Sequence, residues 1–242
     1  MKRNLLFPFI VILLISLACV DPGKVPAANK FITYSADPQK QEIRFYWKNE
    51  KNEIFGSLGR LEEWLSSKNR KLVFATNGGM YGIDRAPVGL YIEDFKKHRS
   101  LNTAEGKGNF HLKPNGVFYL TAKNIPVVCK TEEFKNATGV RYATQSGPML
   151  LIDGQINPIF SKDSKNLNIR NGVGIMPGNK VAFVMSEGEV SFYELAEQFS
   201  RLGCKNALYL DGFVSRTYAP EQGWRQKDGD FGVIIGVSEA RQ

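Results

Sequence analysis

The stretch Ala207-Leu208-Tyr209-Leu210-Asp211-Gly212 constrains this chain more than any other. Four consecutive apolar residues, too few for a helix, fit a short strand buried on both faces, and the Asp-Gly pair after them is turn chemistry. The strand therefore delivers a carboxylate into a corner at the edge of the core. Such a group is costly unless it is hydrogen-bonded or working, so Asp211 either locks the turn or carries chemistry. Three other strand-like runs meet similarly polar, glycine-rich corners: Asn77-Gly78-Gly79-Met80, Gln145-Ser146-Gly147-Pro148 and Arg170-Asn171-Gly172. Four corners of one kind imply one composite site.

A chain of 242 residues, 43% of them apolar, can bury a full core. One domain over 31–242 is the simplest division. Ahead of it, Lys2 and Arg3 precede an apolar run from Leu5 to Val20, and Ser16-Leu17-Ala18-Cys19 resembles a bacterial lipobox. The expectation is a signal peptide over 1–18, a lipidated Cys19 and a tether over 19–30. That places the protein outside the cytoplasm, anchored to a membrane through its N-terminus and facing the periplasm or cell surface. Cleavage near Val25-Pro26-Ala27, giving a soluble secreted protein, and an uncleaved anchor are the alternatives.

Cleavage before Cys19 removes two basic residues and no acidic one, so the formal charge falls from +8 to +6. The basic residues are scattered, with neither a basic helix nor an aromatic RNA-binding signature, which argues against nucleic acid. Attraction to phosphate, lipid headgroups or acidic polysaccharide is the simpler use of that charge. Cys129 and Cys204 are either bridged or two buried thiols. His98 and His111 are the sole histidines and no Cys or His pair has ligand spacing, so neither metal nor cofactor is expected. Ser146 lacks a G-x-S-x-G elbow and has few histidines to pair with, so it is not read as a hydrolase nucleophile. His111 reads as structural, and Trp224 as an aromatic that pins its own loop.

Strand-like runs fall at 31–35, 42–47, 71–76, 87–92, 117–119 behind a Pro114-Asn115-Gly116 turn, 149–152, 173–176, 181–185, 207–210 and 231–237. Leu58, Leu61, Trp64 and Leu65 share one helical face, as do Phe192, Leu195, Ala196, Phe199 and Leu202 behind a Ser191/Glu194 capping box. Residues 157–168 and 218–230 read as loops. The fold expected is α+β: a mixed, largely antiparallel sheet packed with a few helices, its site on loops at one end.

Six motifs in order, Asn77-Gly78-Gly79-Met80, Pro87-Val88-Gly89, Pro114-Asn115-Gly116, Gln145-Ser146-Gly147-Pro148, Arg170-Asn171-Gly172 and Leu210-Asp211-Gly212, resemble the phosphodiester glycosidase family, and specifically its bacterial exported branch. That family includes the uncovering enzyme that removes N-acetylglucosamine from a phosphodiester on mannose. Many members carry a second glycine after Asp-Gly and a serine soon after; here Phe213 and Val214 stand before Ser215. The resemblance implies an exported hydrolase acting on a glycosyl phosphodiester of envelope or extracellular glycan. Asp211 would then be nucleophile or base and Arg170 a phosphate clamp. Asn77 and Asn115 would orient sugar or phosphate, with Gly78, Gly79, Ser146, Gly147, Asn171, Gly212 and Ser215 as further contacts. Two other readings stay open: Arg170 as a buried ion-pair partner of Asp211, and an envelope lipoprotein that binds glycan or a protein partner without turnover.

Overall fold

The structure, a computed structural model, describes residues 30–135, 138–212 and 214–241. The expected signal peptide, Cys19, all of the tether before Lys30, and Phe213 lie outside the described residues. Lys30 already belongs to the fold: its carbonyl accepts the Glu187 N–H at 2.9 Å and its ammonium meets Glu194 at 3.2 Å.

In chain order the elements are β1 (Phe31–Ala36), β2 (Glu42–Tyr46), α1 (Leu58–Ser67), β3 (Arg70–Asn77), β4 (Tyr91–Glu93), β5 (Lys96–Arg99), β6 (Gly116–Thr121), β7 (Pro126–Lys130), β8 (Val140–Ser146), β9 (Met149–Ile152), β10 (Gln155–Ile156), β11 (Asn171–Met176), β12 (Lys180–Ser186), α2 (Phe192–Arg201), β13 (Ala207–Asp211), β14 (Thr217–Ala219), β15 (Trp224–Arg225) and β16 (Ile234–Ala240). The α+β class is as expected, but the strands divide among three sheets. Their orders are β1-β12-β11-β13-β9-β10, β15-β14-β3-β16-β2 and β5-β4-β8-β6-β7. Every ladder between these strands is antiparallel.

One apolar cluster joins the sheets: Phe45 and Phe74 from the second, Phe118 from the third, and Phe183, Leu208 and Leu210 from the first. Each helix covers an outer face. Leu58, Leu61 and Leu65 of α1 pack on Leu72 and Ile234, while Leu195, Ala196 and Phe199 of α2 pack on Leu150, Ala207 and Tyr209. The helix starts follow their caps. Ser57 Oγ accepts the Arg60 N–H at 3.3 Å, and Ser191 and Glu194 exchange bonds in the expected capping box.

The strand expected at 87–92 is displaced to β4, and Pro87 makes an isolated bridge with Tyr81. Proline has no N–H to give a ladder, so pairing begins after it. Residues 218–230 are not all loop: β14 and β15 form a hairpin there, with Trp224 opposite Ala219 and packed on the central cluster.

Candidate active site

The four corners converge where the three sheets meet. Asn77 ends β3 in the second sheet, Ser146 ends β8 in the third, and Asn171 and Asp211 face each other at the adjoining ends of β11 and β13 in the first. Each pair of sheets is tied by a side chain at this junction. Asn171 Nδ2 is shared among Thr76 Oγ1 at 2.9 Å, Asn77 O at 2.9 Å and Asn77 Oδ1 at 3.0 Å. Ser146 Oγ donates to Leu210 O at 2.7 Å, and Thr144 Oγ1 donates to Gly78 O at 2.8 Å.

Asp211 sits beside a bulge. Asn171 pairs with Asp211 but Gly172 with Tyr209, leaving Leu210 as the extra residue. Bulges of this kind re-aim the next side chain. The Asp211 backbone is fixed on both sides: its N–H donates to Asn171 Oδ1 at 3.0 Å, and its carbonyl accepts Ser215 Oγ at 3.0 Å. Its carboxylate accepts the Gly212 N–H at 2.7 Å and has no cationic partner among the described residues. Burial therefore raises its pKa to about 6, against the lowering effect of that one bond. Two tyrosines feel its charge. Burial and then Asp211 raise Tyr81, while Tyr209 is raised chiefly by burial and more weakly by Asp211.

Arg170 is not where a phosphate clamp would be. It is 1% exposed, and its guanidinium donates to Val190 O at 2.9 Å, Tyr209 Oη at 3.2 Å and Asn166 O at 2.9 Å. The same group lies 3.7 Å over the Phe192 ring. Both readings of Arg170 need correction: its donors are spent on neutral oxygens inside the fold, so it neither grips an external anion nor pairs with Asp211. Burial lowers its pKa, as expected for a cation without a carboxylate. It fixes Tyr209 instead, whose hydroxyl fills the space where a Cβ at Gly212 would fall.

Most of the other expected contacts are also structural. Gly78 N–H donates to Val233 O at 2.8 Å, and Gly79, at φ +150°, passes so close to Thr144 that a Cβ would lie 2.7 Å from its Oγ1. A Cβ on Gly147 would meet Asn115 Cβ at 2.5 Å. All three glycines serve close packing between sheets, and the Gly78 amide is spent inside the fold. Asn171, Ser146 and Ser215 have their side-chain bonds inside the junction, and Gly212 gives its N–H to Asp211. Two asparagines differ. Asn77 Nδ2 and Asn115 Oδ1 are buried polar atoms without a partner among the described residues, so each has a hydrogen bond unmade.

Sequence reasoning missed Tyr81, Tyr209 and Arg216. Tyr209 was legible through strand alternation, which puts it with Ala207 on the helix side. Arg216 follows Ser215 directly; its N–H donates to Asn77 Oδ1 at 3.0 Å, and its Nε meets Asp228 at 2.8 Å near the surface. His111 is structural, its Nδ1 bonded to Ala104 O at 3.1 Å. Cys129 and Cys204 are free thiols. Among the described residues no three His, Cys, Asp or Glu side chains come together as a metal site.

A family model described as phosphodiester glycosidase matches residues 70–234, which spans β3 to the start of β16 and holds every residue of the junction. This chain belongs to the phosphodiester glycosidase family. By sequence this chain is similar to the uncharacterized protein YigE of Escherichia coli (strain K12), 34% identical over 219 residues, covering 89% of this chain and 85% of that one. By fold it is similar to the catalytic domain of zebrafish N-acetylglucosamine-1-phosphodiester alpha-N-acetylglucosaminidase, with a TM-score of 0.59 and 13% identity over 87% of this chain and 85% of that one. A hypothetical protein from Synechocystis superposes with a TM-score of 0.53 and 13% identity, covering 86% of this chain and 59% of that one.

Proposed function

We propose that this member of the phosphodiester glycosidase family is an exported hydrolase that cleaves the bond between a sugar and phosphate in a glycosyl phosphodiester of cell-envelope or extracellular glycan. The observation that carries the reading is the Asp211 carboxyl: it is rigidly placed at a three-sheet junction, has one N–H donor and has no counter-cation among the described residues. A purely structural carboxylate, even half-buried as this one is, would ordinarily be paired. Above about pH 6 it is ionised. It then acts on the anomeric carbon as nucleophile, or as the base that takes a proton from water. In either course the bond from that carbon to the phosphate oxygen breaks and its electron pair leaves with the phosphate monoester. Water supplies the hydroxyl that ends on the sugar. The departing phosphate is a good leaving group, so a strong general acid is less needed than in ordinary glycosidases.

Arg216 takes the role that burial denies Arg170. Its guanidinium is part-exposed, and its Asp228 partner is 63% exposed, so the pair is weak and a phosphate can replace the carboxylate. Asn77, whose Oδ1 accepts the Arg216 backbone N–H, offers its unpartnered Nδ2 as a further donor. Export is supported by Lys2, Arg3, the following apolar run and Cys19.

The test is sugar release from a panel of sugar-1-phosphodiesters and envelope polymers by the protein and by Asp211→Asn. Release by the first and none by the second is the expected result. Equal release by both removes Asp211 from the chemistry, and binding without release by either points to a glycan-binding protein. Fatty-acid labelling in cells, lost in Cys19→Ala, tests the anchor.

A further inference from the structure

Beside the junction lies a cleft of about 580 Å³, within the usual range for small-molecule sites, and Asp211 is not part of its lining. Its polar walls are Thr103, Lys113, Asn115 and Thr131, with Pro114 and Ile152 as apolar surfaces. Lys130 and Glu132 also border it, but Lys130 is held by Glu133 at 3.2 Å and approaches Glu132 at 4.0 Å. With Lys113 also in the lining, two cations stand against Glu132 in the wall and Glu133 just behind it, so the charges are of both signs and sum to about zero. Asn115 is 1% exposed; its Nδ2 donates to Phe110 O at 2.9 Å, while Oδ1 has no donor among the described residues. An unmet buried acceptor costs roughly 1–3 kcal/mol, which a ligand hydroxyl or amide N–H would relieve.

The cleft and the carboxylate are neighbours through the backbone. Asn115 packs on Gly147, and Ser146, next in the chain, bonds to Leu210 O, one residue before Asp211. Arg216 is joined to the junction through Asn77 and Ser215, not through Asn115. The phosphate is assigned to the Arg216 cation, and the cleft, whose charges of both signs balance, is left for sugar.

We infer that this cleft binds a second, uncharged sugar unit, with hydroxyl or acetamido donors, attached to the sugar whose anomeric carbon Asp211 attacks. Pro114 and Ile152 suit the C–H face of a pyranose, and Asn115, Thr103 and Thr131 suit its polar edge. The inference rests on the function proposed above and narrows it: the preferred substrate carries at least a disaccharide on its phosphate.

The experiment compares kcat/KM for a monosaccharide and a disaccharide phosphodiester that share the reacting sugar, using the full protein and Thr103→Tyr. Thr103 is exposed, so the larger ring narrows the cleft without entering the core. The expected disaccharide-to-monosaccharide ratio is about tenfold, of the order of one or two net hydrogen bonds, and it falls to near one in Thr103→Tyr. A ratio near one in the unaltered protein overturns the inference, as does a ratio that Thr103→Tyr leaves unchanged. If neither compound is cleaved, the hydrolase reading fails and the cleft is tested separately by calorimetric titration of the free disaccharide. Saturable binding that Thr103→Tyr abolishes supports the cleft, and no binding overturns it.

Discussion

Asn171 holds the backbone of Asp211 from across the ladder, its Oδ1 accepting the Asp211 N–H at 3.0 Å. The other end of the same amide reaches into the second sheet, at Thr76 and Asn77. One side chain thus fixes the height of the carboxylate relative to the wall opposite it. Asn171→Leu keeps the volume and removes every bond, leaving buried donors and acceptors unmet. The expected loss is roughly 2–4 kcal/mol in urea unfolding, and kcat falls at least as far as in any substitution outside Asp211. A variant as stable and active as the parent would show that the junction is held by packing alone.

Arg170 and Arg216 respond differently to substitution. Arg170→Met leaves Val190 O, Tyr209 Oη and Asn166 O without their donor, so it destabilises by about 2–4 kcal/mol, with any loss of activity following the unfolded fraction. Arg216→Gln changes stability by less than about 1 kcal/mol, since its pair is at the surface. It raises KM for phosphodiesters, and the salt dependence of KM falls with it. Urea melts beside Michaelis curves read both.

Much of this was legible in the sequence, and the exceptions have physical causes. The capping box at Ser191, the apolar stripe of α2 and the turn after Leu210 are local, and each formed where its residues indicated. The partition of strands into three sheets is not local: β3 and β13 read alike as buried runs, and nothing in either says that they belong to different sheets. Arg170 shows the same limit at the site. An arginine before Asn-Gly has the right donors for phosphate, but its direction is set by Phe192 and Tyr209, which come 22 and 39 residues later. Asp211 and Asn77 stand out as candidates in the sequence because a polar group at the end of a buried run needs a reason whatever the sheet order.

The two thiols, left open as a bridge or a free pair, are free. Burial pushes Cys129 up to about 11 and Cys204 up to about 12, so neither is a thiolate at neutral pH. Native protein lacking residues 1–29 is expected to react slowly with a thiol reagent, and the same protein denatured to yield two equivalents without reductant, one each from Cys129 and Cys204. Zero equivalents after denaturation would reveal a bridge.

The Asp211 carboxyl links stability and activity to the same pH range. Folding moves its pKa from 3.8 to about 6, so between those values the folded protein holds a proton that the unfolded chain has released. The raised pKa therefore costs nothing below about pH 4; the penalty grows as pH rises towards 6 and is complete above it. Two pKa units correspond to about 3 kcal/mol, an upper value for a side chain that retains some access to water. Asp211→Asn keeps an acceptor for the Gly212 N–H and never ionises. It is expected to be more stable than the parent by roughly 1–3 kcal/mol at pH 8, with the difference vanishing near pH 4. Activity runs in the opposite sense. In the proposed function the ionised form is the working one, so kcat/KM in the parent is expected to rise with pH through a single ionisation near 6 and to be absent in Asp211→Asn. Urea midpoints for both proteins from pH 4 to 8, set beside the pH profile of the parent, test the two together. A stability difference independent of pH would mean that Asp211 titrates near its unfolded value and that its burial is compensated elsewhere.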